Sequence, residues 1–298
     1  MNVVQICGPS YSGSTVLGYM LNTSSNVFFG SEVCMFLKHY KKQMRKAGRV
    51  FEPKCDVCGI NCNFWTPDFL RKIEEENVAN LTQLYKILET FMGESTFIDG
   101  SKKSAYYLGH YHGKQVISAK HPLRIMASVI YNRRTKLDIG TDDFDEFKKI
   151  IDSKNGFFIN YLRDYLNGLF SSYNEFIKTA PDGMVCRTDC LLDNEFSHLK
   201  KICRHLNIDF VSLDVTNFSS YDIHPIGGNR APYWLKAQKE GKKIKDKRFD
   251  YYQNAKSCGD VKIDDKYNRV FSESFIRMLQ GEDSYIRLCD LLGYDYNL

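Results

Sequence analysis

The residues whose spacing suggests chemistry begin at the N-terminus. Gly8 and Gly13 have four residues between them and are followed by Ser14-Thr15, the glycine spacing of a Walker A loop. Ser14 stands where that motif requires Lys. Between a strand and a helix, such a loop still cradles an anion. Backbone N–H groups of residues 10–15 point inward, and the helix dipole adds partial positive charge. The missing lysine, which would reach the β- and γ-phosphates, argues against ATP or GTP hydrolysis. An atypical P-loop kinase is further disfavoured because no apolar strand leads into a convincing Mg²⁺-binding Asp. A second group, Cys55-x2-Cys58-x3-Cys62, places three thiols at a spacing that could hold zinc, with Cys34 or His39 as a fourth ligand. The alternative is a compact loop of free or redox-labile thiols.

These residues need a scaffold, and the hydrophobic pattern supplies one. Val3–Cys7 reads as a buried strand that runs into the glycine loop, and 14–21 as the helix that follows. Further short strands are expected at 27–29, 97–98, 115–118 and 184–186, with helices at 141–152, 154–179 and 194–206. The aromatic stripe of 154–179 reads as core packing. This alternation implies βαβ units: a three-layer α/β fold with a mainly parallel central sheet, helices on both faces, and a P-loop NTPase-like order. Residues 1–298 read as one domain, with an insertion around 34–66 and a basic region around 230–262.

Composition narrows the function. A chain of 298 residues, 43% hydrophobic and 26% charged, can bury a large core, which excludes disorder as its main state. The net charge of +5 is too mild for a nucleic-acid binder and suits an anionic ligand. From Lys236 to Lys256, eight cations face Glu240, Asp246 and Asp250, a local excess equal to that of the whole chain. The simplest reading of that run is a solvated surface loop. No apolar stretch approaches the ~18 residues of a membrane span. No secretory pattern opens the sequence, so a cytoplasmic protein with mostly free thiols among its ten cysteines is the expectation.

The loop Gly8-Pro9-Ser10-Tyr11-Ser12-Gly13-Ser14-Thr15-Val16-Leu17 resembles the 5′-phosphosulfate loop of sulfotransferases that use 3′-phosphoadenosine 5′-phosphosulfate (PAPS), of the Golgi and bacterial carbohydrate type. Four further segments fit in order. Val27–Glu32 resembles the second strand ending in Gly-Glu, with a Ser inserted. Asp99-Gly100-Ser101-Lys102 resembles the Asp-x-Ser-Lys segment after the third strand. Val116–Arg124, continuing to Ser128, resembles the 3′-phosphate segment, commonly Arg-Asp-Pro-Arg followed by a Ser. His224–Arg230 resembles the late Gly-Asn loop that closes over the cofactor. The cysteine group with Asn63-Phe64-Trp65 is also similar to an insertion in bacterial members.

The resemblance implies a P-loop-like fold and transfer of a sulfuryl group from PAPS to a hydroxyl, leaving PAP, with no metal required. It implies cofactor contacts from Ser10, Tyr11, Ser12, Gly13, Ser14 and Thr15 at the phosphosulfate, and from Gly227, Gly228, Asn229 and Arg230 in the late loop. Lys120 at a strand end and Ser128, six residues after a Pro122 suited to open a helix, can converge on the 3′-phosphate. Glu32 is the candidate base for the acceptor hydroxyl, and Lys102 the candidate cation for the transferring group. Asp99 is expected to orient Lys102 or cap a turn. Tyr11 departs from the pattern, which has Arg or Lys there, so Lys102 or Arg230 would have to supply the charge. The acceptor is expected to be a carbohydrate, a glycolipid or another small metabolite. A non-catalytic PAP-binding protein is the competing class, kept open by Tyr11.

Overall fold

The computed structural model describes residues 1–35, 37, 55, 58–59, 61–102, 113–192, 194–210, 224 and 266–296. His39, Gly227, Gly228, Asn229, Arg230, the basic run 236–256 and much of 34–66 therefore lie outside the described residues.

The five expected strands form one sheet: β1 (Asn2–Cys7), β2 (Val27–Phe29), β3 (Thr96–Lys102), β4 (Lys114–Ala119) and β5 (Met184–Arg187). Their order is β2-β3-β1-β4-β5 and every pairing is parallel. Successive side chains of a strand point to opposite faces. On β1, Val3 and Cys7 accordingly join one core, and Val4 and Ile6 the other. Both faces are covered, which is why these strands read as continuous apolar runs.

One face is closed by α1 (Ser14–Leu21) and α7 (Ser197–Leu206), through Leu17, Met20, Leu199, Ile202 and Leu206. The other is closed by α2 (Pro67–Glu75), α3 (Leu81–Met92), α4 (Pro122–Arg133), α5 (Phe144–Ser153), α6 (Asn155–Thr179), α8 (Lys266–Val270), α9 (Glu273–Gln280) and α10 (Asp283–Leu292). Local signals start several of these. Thr66 accepts from the Phe69 N–H ahead of Pro67, Asn80 from Gln83, Asp143 from Asp145 and Glu146, and Ser272 from Phe275. Two expected boundaries move. The helix expected at 141–152 starts after its Asp143 cap, and α7 begins at Ser197 behind a kinked turn, 194–196.

From β1 the chain goes first to β2 and β3 on one side, then crosses to β4 and β5 on the other. Connections after β1 and β4 thus leave in opposite directions. Such a sheet opens a crevice at the carboxyl ends of the strands where the directions part. The loop after β1, Glu32 after β2, Lys102 at the end of β3 and Lys120 after β4 all lie at that edge.

Candidate active site

The loop after β1 is shaped by contacts that only glycine allows. Gly8 has φ 149°, and a Cβ there would lie 2.4 Å from Ser118 Oγ on β4. Gly13, at φ 87°, is the residue ahead of α1, and a Cβ would meet Thr188 Oγ1 at 2.6 Å. Three hydroxyls bind the loop to its neighbours. Ser12 Oγ and Ser118 Oγ are 2.6 Å apart and buried, and Ser118 Oγ donates to the Cys7 carbonyl at 3.0 Å. Thr188 Oγ1 lies 2.9 Å from the carbonyls of both Ser12 and Ala119. With glycine ahead of it, α1 receives no side-chain cap. Its first-turn N–H groups, Ser14 and Thr15 among them, have no partner inside the helix and remain available to an anion. Ser12 and Ser14 are buried, whereas Ser10 and Tyr11 are exposed.

Beside the loop, the register between β1 and β3 slips by one residue. Gln5 pairs with Asp99 but Cys7 pairs with Lys102. The extra residue re-aims the strand end, as bulges do: Lys102 has φ 69°, and its carbonyl accepts the Gly8 N–H at 3.0 Å. The Lys102 ammonium meets the Glu32 carboxylate in a partly buried ion pair. Glu32 follows Ser31, itself at φ 59°, whose carbonyl accepts the Gly100 N–H at 2.8 Å. Tyr11 (φ 71°), Ser31 and Lys102 bring three left-handed non-glycine residues to one sheet edge, a clustering typical of functional sites.

Of its two expected roles, Asp99 takes that of the turn cap, its carboxylate accepting the N–H two residues on. It is fully buried, accepts hydrogen bonds from the Tyr85 hydroxyl and from Ser101 Oγ, and takes the Ser101 N–H at 2.8 Å. Ser101 Oγ in turn accepts the Cys34 N–H at 2.9 Å. Asp99 thus fixes the backbone under Glu32 and Lys102. Burial of Cys7, and after it the nearby Asp99 charge, push the Cys7 thiol up to about 12, so Cys7 is a neutral core residue.

At the end of β4, Lys120 follows Ala119, and Pro122 opens α4 as its spacing implied. Ser128 lies on the second turn, but its hydroxyl donates back to the Arg124 carbonyl at 2.9 Å and would have to rotate to serve a ligand. Arg124 is held by Asp189 at 2.8 Å, and Asp189 also accepts the His121 N–H (2.6 Å) and the Tyr294 hydroxyl (2.9 Å). Burial lowers the His121 pKa, and its Nε2 lies 3.2 Å from the Asp295 carbonyl. Arg133, at the end of α4, donates to the Tyr161 hydroxyl at 2.7 Å and lies over Tyr165. The Tyr161 hydrogen bond raises the Arg133 pKa and burial raises that of Tyr165, with Tyr11 a lesser influence on each. Ser118, Thr188 and Arg133 were not singled out from the sequence. Each is an ordinary strand, turn or helix residue that topology alone brings to the loop.

The cysteine group is completed from far away in sequence. Nδ1 of His224 lies 3.3 Å from Cys62 Sγ, 3.4 Å from Cys58 Sγ and 4.0 Å from Cys55 Sγ. The fourth member is therefore His224, not Cys34, whose N–H and thiol face Ser101 instead. No spacing rule links His224 to thiols more than 160 residues earlier.

No family model matches the chain, and no curated protein matches it in sequence. A solved structure does. The sulfotransferase domain from the Synechococcus PCC 7002 olefin synthase is similar at a TM-score of 0.56, over 99% of this chain and 94% of that one, at 15% identity. The chain shares the fold of that domain. The expected α/β architecture is thereby borne out, and among the described residues no helix is long and apolar enough to cross a membrane.

Proposed function

We propose that this chain is a PAPS-dependent sulfotransferase that acts on a hydroxyl of a carbohydrate, glycolipid or other small metabolite. The observation that carries the proposal is the meeting, at one sheet edge, of an uncapped helix start behind a glycine-bounded loop with the Glu32–Lys102 ion pair. The residues fit the donor. Gly8 and Gly13 let the loop pack against Ser118 and Thr188 closer than a Cβ would allow, and among the described residues no side chain caps the start of α1. PAPS supplies the sulfuryl group and leaves as PAP.

The chain's own residues divide the work. N–H groups of 13–15, with the Ser14 and Thr15 hydroxyls, hold the 5′-phosphosulfate, each charge-assisted bond being worth about 1.5–3 kcal/mol. Lys120 and Ser128 face the 3′-phosphate, and Gly227, Gly228, Asn229 and Arg230 close the late loop. Glu32 takes the acceptor proton as the acceptor oxygen bonds to sulfur and the bond from sulfur to the phosphate oxygen breaks. Lys102 holds Glu32 in place and offsets charge on the equatorial oxygens. Tyr11 donates one hydrogen bond, and Arg133 supplies positive charge on that side of the loop.

A thermal-shift series tests the cradle. PAP at 100 times its dissociation constant should stabilise the fold by about 2.7 kcal/mol and exceed ATP or GTP with Mg²⁺. Equal or greater stabilisation by ATP with Mg²⁺ would defeat the proposal.

A further inference from the structure

Phe64, next to the cysteine group, anchors that insertion to the sheet. It stacks on Phe28 of β2 at 5.2 Å between centroids and on Phe97 of β3 at 6.4 Å. Phe64 also lies nearly parallel to the His224 ring, 5.7 Å away and tilted by 8°. Trp65 is buried and donates from Nε1 to the His224 carbonyl at 2.7 Å. Three thiols and one imidazole nitrogen thus converge in a buried pocket beside the sheet, with all four atoms within 4.8 Å of one another.

We propose that Cys55, Cys58, Cys62 and His224 bind a single structural Zn²⁺ that ties the insertion to the chain immediately ahead of residues 225–230. Zn–S bonds of about 2.3 Å and a Zn–N bond of about 2.0 Å put tetrahedral S···N edges at about 3.5 Å. The three S···N separations, 3.3, 3.4 and 4.0 Å, bracket that value. A two-iron cluster would spread its ligand pairs over two metals and needs a wider set. Three soft sulfurs and one imidazole select zinc over hard cations. Four protein ligands complete the tetrahedron, so the site is structural and has no open position for catalysis.

Two backbone donors already point at the sulfurs. The Cys58 N–H reaches Cys55 Sγ at 3.4 Å, and the Trp65 N–H reaches Cys62 Sγ at 3.3 Å. Such donors stabilise thiolates, the form that metal requires, and outer-shell partners of this kind tune ligand sets. The proton balance is explicit. Each of three thiols releases one proton to solvent, the imidazole binds through Nδ1 as the neutral tautomer, and the loaded site carries one net negative charge. A disulfide would use two of the thiols and leave the third thiol and His224 without a role. Among the described residues no disulfide joins any of the three cysteines. The proposal is independent of the sulfuryl-transfer reading.

The test uses the full chain, purified with a reductant and without chelator from zinc-supplemented medium. Elemental analysis should give one zinc per chain, and Co²⁺ exchanged into the site should show the intense visible bands of a tetrahedral ion with thiolate charge transfer. Cys58→Ser should reduce the charge-transfer band and weaken metal binding by more than the ~10–100-fold that loss of an outer partner costs. His224→Gln should shift the visible bands. Absence of zinc together with no Co²⁺ uptake overturns the proposal, as does a native mass 2 Da low from a Cys–Cys bond. Unchanged Co²⁺ spectra in both variants overturn the ligand set. Should the variants fail to fold, stoichiometry and spectrum of the unaltered chain still decide.

Discussion

Gly13→Ala probes how the anion loop is held. The residue sits at φ 87°, ψ 6°, a left-handed conformation that costs a residue bearing Cβ about 1–2 kcal/mol. The new Cβ would lie 2.6, 2.8 and 2.9 Å from Oγ1, Cβ and Cγ2 of Thr188, all side-chain atoms of one buttress. Overpacking of that kind adds about 1–3 kcal/mol, so the substitution should cost about 2–5 kcal/mol in all. Thr188→Gly removes the colliding atoms and the hydroxyl that serves the Ser12 and Ala119 carbonyls, at about 1 kcal/mol. In the double variant the backbone strain persists and the collision disappears. The two changes should therefore couple by about 1–3 kcal/mol, readable from urea unfolding of the four proteins through buried Trp65 fluorescence. Additivity within about 0.5 kcal/mol would refute the claim that Thr188 supports the loop.

Asp99→Ala leaves the Tyr85 hydroxyl and the Ser101 N–H without their acceptor, so it should lower unfolding free energy by about 3 kcal/mol in urea titrations; a loss under 1 kcal/mol would contradict its buttressing role. His121 has a folded pKa depressed by burial, and its Nδ1 has no hydrogen-bond partner among the described residues, so the unfolded chain binds the proton first. Stability from this group is complete above the ordinary value of about 6.5 and falls as pH drops below it, by at most about 1.4 kcal/mol per pH unit. His121→Asn should flatten that part of the urea-midpoint profile between pH 7 and 5, and an unchanged slope would assign the acid loss elsewhere.

Much of this arrangement is legible in the sequence. All five strands show as short apolar runs because both sheet faces are covered, and the Gly8–Gly13 spacing marks the loop that follows the central strand. β3 is longer than its apolar core suggests. Asp99-Gly100-Ser101-Lys102 does not look like a strand, and pairing with β1 and the Asp99 hydrogen bonds hold it as one. Helices α2 and α3 carry readable caps at Thr66 and Asn80 but weak apolar runs. The C-terminal helices α9 and α10 bury Phe275, Leu279, Tyr285 and Leu288 against α6, a packing that joins distant segments. The Glu32–Lys102 pairing and the union of His224 with the three cysteines are tertiary events with no local signal. Ser118 and Thr188 carry no local signal for the same reason.

The most direct test of the proposed activity follows sulfur itself. The chain is incubated with ³⁵S-labelled PAPS and a mixed extract of small metabolites, oligosaccharides and glycolipids, and label leaving PAPS is separated from free sulfate. The account expects label in at least one hydroxyl-bearing acceptor. Glu32→Gln should bind PAP nearly as well as the unaltered chain and transfer about 10²–10⁴-fold more slowly. Tight PAP binding with no transfer to any acceptor, or full transfer by Glu32→Gln, would contradict it.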